Sequence, residues 1–597
     1  MTKKYDVEIP VLIVGGGGAG LTSSILLSRL GVESLLVTRY PSTTHVPRAH
    51  MLNQRSMEIF ADMGVDSQIR AKGAPQEYMS RIGFLSGLAG GGPKNGHGRR
   101  IGSIEAWGGG YTDPEYVAAS PQAAANLSLR RSEPVLKEHA ERYDHAAIRF
   151  NHELVGLEQD AAGVTSTVLD RGTGETYTVR SRYLLGADGG RTVGELAGVQ
   201  LSGPEKIMTL TSMYLSMDLS PYLDEAEDAV FHWIFNPDHP RHLGWGAVLV
   251  PEGPEWGRKS KEWVLHVTGE GMDASQPEKM VQWAREAVGL PDIDIEVLTI
   301  AEWDMGGYLA DDFRAGRVFM LGDAAHKVPP AGGLGLNAAV QDAYNLCWKL
   351  AAVLDGRAGD ALLDTYSAER RPVNQHNLDT AMQAAPAQFG AAEVMGLSPD
   401  KSAEENWAVL RLFWEDGPGA VERRHAFTQW LGNLTLVFHQ HNTDFGYTYD
   451  SPAIVGDSTP APAPLDAIRL YQPSTRPGHP LPHAWVDRAG ERTALRELIH
   501  GGHFALIAGE DGHDWVEAAT QIAEQRKLPL RAARVGLGDV DFVDTRLAWT
   551  KQREISTTGA VLVRPDGHVA FRSAASVDDP AAVLSAAFRR ILHTDGE

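Results

Sequence analysis

The sequence predicts an α/β protein built from several units, and three observations carry that prediction. A short apolar strand at Val11 to Val14 runs into a glycine turn and an apolar helix, Leu21 to Leu30, before a second strand at Val32 to Val37. That order is the βαβ opening of a Rossmann-like nucleotide-binding domain. Strand patterning then dominates residues 207 to 305, after which a buried strand, a glycine loop and a helix of the first kind return from residue 317. A mixed β-sheet unit is therefore expected to be interleaved within the first domain. Finally, the residues beyond a Pro/Ala-rich stretch read βαβα and then ββα, thioredoxin-like in outline.

The chain has 597 residues, enough for about four units at the usual ~150 residues each. Lys plus Arg number 55 against 77 Asp plus Glu, a formal charge of −22, so general affinity for nucleic acid is excluded. With 43% hydrophobic and 22% charged residues the composition is that of an ordinary globular protein. The single cysteine, Cys347, forbids an intrachain disulfide and any Cys-rich metal or Fe–S site, which fits a reducing cytoplasmic location. Asp6 and Glu8 interrupt what would otherwise resemble a signal peptide, and no run reaches the ~18 apolar residues of a membrane span.

Taken along the chain, the nucleotide-binding domain is expected over 1–82, 111–206 and 306–375. Residues 83–110, crowded with glycine, read as a long loop. Alternating strands are expected from about 150 to 190, with turns at Asp160 to Gly163 and Arg171 to Gly174. The sheet unit spans 207–305, and its Trp and Phe residues read first as core. From Asn337 to Leu354 the positions Val340, Tyr344, Cys347, Leu350, Ala351 and Leu354 keep helical spacing, which puts Cys347 in a core. A helical bridge follows over 376–457, a linker over 458–466, and the thioredoxin-like unit over 467–597, without CxxC. His439, His441 and Asp444 have the residue types of a metal site, but on one short segment they read as surface polarity, and no metal is expected.

The turn Gly15-Gly16-Gly17-Gly18-Ala19-Gly20 fits G-x-G-x-x-G after a strand and before a helix. Gly15 makes the turn, Gly17 admits a pyrophosphate to the helix N-terminus, and Gly20 lets helix and strand approach. At the end of the second strand Thr38 stands where an acid usually binds ribose, with Arg39 next to it, a pair that alone favours NADP. The second glycine loop argues for a longer cofactor. Gly322-Asp323-Ala324-Ala325-His326 precedes Pro329-Pro330 and Gly332-Gly333-Leu334-Gly335-Leu336-Asn337. An Asp at a strand end can bind a polyol, and a glycine run entering a helix aims amides at an electron-rich ring edge.

These motifs resemble the class A flavoprotein aromatic hydroxylases, in the phenol hydroxylase branch typified by 2,4-dichlorophenol 6-monooxygenase and 2-hydroxybiphenyl 3-monooxygenase. The segments PRAH (47–50), NQR (53–55), GADG (186–189), DAYNLCWKLAAVLDG and LLDTYSAERRPV extend the likeness, and YDSPAI, PSTRPG and GAVLVRPDGHVAFR extend it into the C-terminal unit. The resemblance implies FAD, held by Gly15, Gly17 and Gly20 with Arg48 near its phosphates. It also implies Gly322, Asp323, Pro330 and Gly333 to Asn337 around the ribityl chain and ring, and Asp188 and Gly189 between FAD and a transiently bound NAD(P)H. A homodimer is expected. Three departures stand out: Thr38 for the acid; Leu127-Ser128-Leu129 for Leu-Pro-Gln, with Arg130 or Arg131 as substitute cofactor contacts; and GAVLVPEGPEW where relatives carry a substrate-orienting arginine.

The implied reaction is reduction of FAD by NAD(P)H, addition of molecular oxygen to give a flavin C4a-hydroperoxide, and transfer of one oxygen to a phenolic ring, ortho to the hydroxyl. His50 is the expected base for the small aromatic substrate, Met213, Trp233 and Pro329 its expected lining, and His326 is expected to be structural. Tailoring of a polycyclic aromatic natural product is the alternative within the same chemistry. From other classes, an NADP-dependent reductase or a non-catalytic FAD-binding protein uses part of the same motifs. A flavin halogenase is disfavoured because W-x-W-x-I-P is absent.

Overall fold

In the computed structural model, which describes residues 5–88, 100–223, 229–268 and 275–594, the strand VLIV is buried on both faces at the centre of the first sheet. Parallel strands covered on both sides need such unbroken apolar runs. The chain opens β1 (Val7–Val14), α1 (Gly18–Arg29), β2 (Ser34–Thr38). It continues through β3 (Met51–Leu52), α2 (Gln54–Met63), β4 (Arg81–Leu85), β5 (Arg100–Glu105), β6 (Ala125–Asn126) and α3 (Leu129–Ala140). Then come β7 (Ala146–Phe150), β8 (His152–Asp160), β9 (Gly163–Asp170) and β10 (Thr176–Gly186). The sheet unit holds β11 (Met208–Ser216), β12 (His232–Ile234), β13 (Ala247–Gly253), β14 (Glu262–Val267), α4 (Pro277–Val288) and β15 (Glu296–Met305). The first domain resumes with β16 (Val318–Met320) and α5 (Leu334–Leu354), and α6 (Asp364–Phe389) and α7 (Ala420–Phe438) follow.

The first sheet places β16, β10, β1, β2 and β7 side by side, all parallel, with β8 and β9 folded back as an antiparallel meander on β10. The turns of that meander fall where Asp160 to Gly163 and Arg171 to Gly174 predict them. The second sheet has seven strands in the order β15-β11-β14-β13-β12-β4-β5. Here the expected glycine loop is corrected. Residues 81–85 and 100–105 are paired antiparallel strands at the edge of this sheet, so the expectation of a loop over 83–110 fails at both ends; residues 89–99 lie outside the described part. The sequence reading also missed α4, whose buried Met280, Trp283, Ala284 and Ala287 cover one face of the sheet.

The glycines at 108–110 form a left-handed turn. From Trp107 to Tyr111 every φ is positive, between 47 and 76°. Trp107 and Tyr111 have no glycine freedom there, and burial against Phe438 and Tyr116, with ring centroids 5.4 and 5.1 Å away, offsets the strain.

The expected boundary between 375 and 376 falls inside α6, a continuous helix that starts at Asp364, so no joint exists there. The C-terminal sheet holds β17 (Trp485–Arg488), β18 (Glu491–Ala494), β19 (Phe504–Ala508), β20 (Leu530–Gly536), β21 (Phe542–Val543), β22 (Ala560–Val563) and β23 (Val569–Ser573). Their spatial order is β18-β17-β21-β20-β19-β22-β23, with β19 and β20 parallel and a β22–β23 hairpin around Asp566. It docks on the first domain through buried charge: Arg564 binds both carboxylate oxygens of Glu369 at 2.6 and 2.8 Å, and Lys349 reaches the same carboxylate at 2.7 Å. Among the described residues no helix is long and apolar enough to cross a membrane.

Candidate active site

Two helix N-termini meet above the first sheet. Gly17 caps α1 and Gly333 caps α5, neither with a side-chain cap, so amides at both ends stay available. Close approach dictates the glycines. A Cβ on Gly20 would lie 1.9 Å from the Gly15 carbonyl oxygen, and one on Gly15 2.0 Å from that of Ala187. A Cβ on Gly18 would lie 2.8 Å from Leu336, which brings the start of α5 against the start of α1. By contrast, a Cβ on Gly17 would meet only Glu133 Oε1, at 3.6 Å, and one on Gly335 or Gly189 would meet nothing within 4 Å. Gly335 and Gly189 face open space and Gly17 meets only that carboxylate, and the residues present fit a dinucleotide with its pyrophosphate at α1 and a ring edge at α5.

The side chains around this cradle are placed as follows. Thr38 is buried at the end of β2 against Gly16, in the acid's position, and Arg39 beside it pairs with Glu153 at 3.4 Å. Arg48 is exposed at the start of the segment that pairs with residues 125–129. The Asp188 carboxylate is occupied by the amides of Gly190, Thr192 and Val193, so it shapes the turn behind Gly189. Asp323 is exposed at the strand end after β16, and Pro330 is exposed beside buried Pro329. The Asn337 side chain ties α5 to the backbone of Met51 and Asn53 at 3.0 and 2.9 Å. His326 is structural: with Gly322 N, Arg370 and Asn374 it surrounds the buried Asp342 carboxylate, which they hold well below the usual range.

Glu133 was missed by the sequence reading. It comes from α3 to stand beside Gly17, accepts from Thr44 N at 2.8 Å, and is pushed up to about 7 by burial.

His50 precedes β3, which pairs with β6. Its Nδ1 lies 2.9 Å from Asn126 Oδ1. Burial pulls His50 below the ordinary histidine value, with the Asn126 bond opposing in part, so the ring is neutral near pH 7. Donation from Nδ1 to the amide oxygen leaves Nε2 as an acceptor.

The start of α3 lies over the second sheet. Ser128 donates to Glu252 at 2.5 Å, and burial pushes Glu252 up to about 7. Arg131 binds Glu262 at 2.6 Å, and Arg130 reaches it at 3.4 Å while stacking on Tyr214, which also bonds Glu262. Arg130 and Arg131, the expected substitute cofactor contacts, are thus both paired with Glu262, a partner invisible in the local sequence.

Two expected lining residues are corrected as well. Met213 is fully buried on the far face of the second sheet, among the residues that α4 covers. Trp233 is on the near face, but it is sealed by Phe84 and Phe231, its indole N–H donates to the Trp245 carbonyl at 2.9 Å, and it is 0% exposed. The segment 439–444 is not surface polarity: His441 is buried and stacked 3.9 Å from Tyr116, and buried Asp444 accepts from Asn53 at 2.9 Å. No His, Cys, Asp and Glu group suited to a metal occurs among the described residues.

Comparison with known proteins accounts for this arrangement. Residues 8–381 match the family described as FAD binding domain, and residues 474–594 the family described as aromatic-ring hydroxylase, C-terminal. The chain is 35% identical to 2,4-dichlorophenol 6-monooxygenase of Cupriavidus pinatubonensis, over 99% of this chain and 97% of that protein. It is 34% identical to tetracenomycin A2 monooxygenase-dioxygenase of Streptomyces glaucescens, over 98% of this chain and 97% of that one. The solved structure of the flavin-dependent monooxygenase PieE, in complex with FAD and substrate, superposes with a TM-score of 0.91 at 37% identity, covering 99% of this chain and 100% of PieE. With both halves of the family matched and the glycine cradle intact, the chain belongs to the FAD-dependent aromatic-ring hydroxylases.

Proposed function

We propose that this monooxygenase hydroxylates a phenolic ring ortho to its hydroxyl, with His50 as the base that receives the phenolic proton. The overall change balances as ArH + O₂ + NAD(P)H + H⁺ → ArOH + H₂O + NAD(P)⁺. Bound FAD, reduced by NAD(P)H, supplies the activated oxygen. The amides at the start of α1 would hold its pyrophosphate and those at the start of α5 the edge of its ring.

The observation that carries the phenolic reading is His50 Nε2, which has no protein partner among the described residues. Asn126 holds the proton on Nδ1, so Nε2 is presented as an acceptor to a hydroxyl. A phenolate ring is far more nucleophilic than the phenol, and a positioned base contributes typically ~10²–10⁴-fold. On the near face of the second sheet, Phe231, Trp233, Trp245 and Phe438 pack edge to face as one aromatic cluster.

The experiment is turnover of the FAD-loaded enzyme with simple phenols under ¹⁸O₂, following NAD(P)H consumption and product mass. Substrate-stimulated consumption with one labelled oxygen in an ortho-diol is expected. Oxidation of NAD(P)H that no phenol stimulates, or a product without label, would overturn the reading.

A further inference from the structure

A second histidine faces the same site with the opposite hydrogen-bonding sense. His266 lies on β14, two same-face positions beyond Glu262, and therefore ~13 Å along the strand from where α3 is anchored. Its Nδ1 lies 2.8 Å from Ser212 Oγ on the neighbouring β11, and Trp303 Nε1 lies 2.9 Å from the same oxygen. An indole N–H only donates, so Ser212 accepts from Trp303. The single hydroxyl hydrogen of Ser212 then has His266 Nδ1 as its acceptor. The reverse arrangement would leave that hydrogen buried without a partner, since Ser212 is 4% exposed. Nδ1 of His266 is thus the acceptor, and the ring proton sits on Nε2. That Nε2 has no protein partner among the described residues, and the residue is only partly buried. Among the described residues, His50 is the ionisable neighbour close enough to act on His266.

We propose that His266 is a substrate-selecting group: its Nε2–H donates to a second oxygen of the substrate, while His50 Nε2 accepts from the phenolic hydroxyl. The substrate class that fits is a ring system with a hydroxyl on one side and a carbonyl-type oxygen on the other, in preference to a plain phenol or halophenol. This rests on the phenolic reading above. Burial pulls His266 down to about 4, so the ring stays neutral and its acceptor and donor stay distinct at working pH. The arrangement of the three side chains leaves no comparable donor role for Met213 or Trp233, whose placements are closed.

A matched pair of ligands separates the two ideas. In the FAD-loaded enzyme, binding of 6-hydroxy-1-tetralone and of 5,6,7,8-tetrahydro-2-naphthol is measured by perturbation of the flavin absorbance, and turnover of each is followed. The ketone is expected to bind about tenfold more tightly in the wild type, the size of one good neutral hydrogen bond. In His266→Leu that ratio should collapse towards one. His266→Gln, which keeps an N–H near the Nε2 position, should retain part of it, and Ser212→Ala, which frees the tautomer, should narrow it. The last two variants decide the matter if the leucine variant fails to retain FAD. Tetrahydronaphthol hydroxylated with no preference for the ketone, or a preference that survives His266→Leu, overturns the assignment and leaves the phenolic reading standing. No binding or turnover of either compound overturns both.

Discussion

Asn126 Oδ1 lies 2.9 Å from His50 Nδ1, and this one bond fixes which nitrogen of the histidine can act as a base. Removing the imidazole should therefore cost catalysis: His50→Ala is expected to lower kcat by ~10²–10⁴. In the wild type, the acid limb of the kcat profile should lie below the ordinary histidine value, because burial pulls His50 down and activity is lost as pH falls through its pKa. Asn126→Asp places a carboxylate against the same nitrogen, favours the imidazolium, and should move that limb to higher pH. A pH–rate profile of the two enzymes on one phenol checks this. An unmoved limb would show that His50 is not the titrating base.

The cradle and its chemistry were legible for different reasons. Gly20 is dictated by a contact within one βαβ turn, the Gly15 carbonyl, so a local pattern reports it faithfully; Gly15 meets the Ala187 carbonyl at the end of β10, and its own positive φ is the local demand that the pattern reports. Gly332 and Gly333, just before α5, are likewise at positive φ. By contrast, Met213 and Tyr214 are adjacent in sequence and face opposite sides of a sheet covered on both faces, so alternation alone does not say which side meets the substrate. Arg130 finds Glu262 and Ser128 finds Glu252 across tertiary packing, which a linear reading of helix entry cannot supply. His266 was passed over for that reason: its role depends on Ser212 and Trp303, which two neighbouring strands bring to it.

Gly17 and Gly20 should fail differently when given a methyl group. At Gly20 the new Cβ would meet the Gly15 carbonyl oxygen at 1.9 Å, a clash of backbone on backbone that nothing flexible can relieve. Gly20→Ala is expected to lose the fold of the domain. At Gly17 the nearest atom is Glu133 Oε1 at 3.6 Å, ordinary van der Waals contact. Gly17→Ala should keep its apoprotein stability within about 1 kcal/mol of wild type. The methyl group would nevertheless stand where a pyrophosphate must approach, so FAD affinity should fall by about tenfold or more. Unfolding of the apoproteins and FAD fluorescence titration separate the two effects. Wild-type FAD affinity in Gly17→Ala would mean that the cofactor does not lie against α1.

Docking of the C-terminal unit depends on charge balance. Arg564 and Lys349 face Glu369 and Asp566 at a junction where all four side chains are at most 2% exposed. Arg564→Met leaves one uncompensated negative charge in that junction and should destabilise the protein by about 3–5 kcal/mol. Adding Asp566→Asn restores neutrality between Lys349 and Glu369, and should recover part of the loss. Urea unfolding of the single and double variants reads this directly. Equal destabilisation in both would mean that lost packing of Arg564, not unpaired charge, dominates.

Asp444 offers the opposite case, a carboxyl whose neutralisation should help. It is buried, the one hydrogen bond to its carboxyl among the described residues comes from Asn53 at 2.9 Å, and burial pushes it up to about 7. In the unfolded chain an aspartate titrates at about 3.9. The folded state therefore binds this proton more tightly, and its stabilising effect is complete below pH ~4, is lost as pH rises towards 7, and becomes a constant cost of buried charge above that. Asp444→Asn keeps an oxygen for Asn53 and never ionises. The variant should match wild type near pH 4 and exceed it above pH 7, on the order of 2–4 kcal/mol by linkage. Thermal unfolding midpoints of the pair across pH 4 to 9 check the prediction, because groups common to both proteins cancel in the difference. A divalent cation held by His439, His441 and Asp444 would reverse the sign: the variant would then lose stability, increasingly so at high pH, where ligands are deprotonated and the ion binds best. The direction of the difference at pH 8 thus decides between a buried carboxyl and a metal ligand.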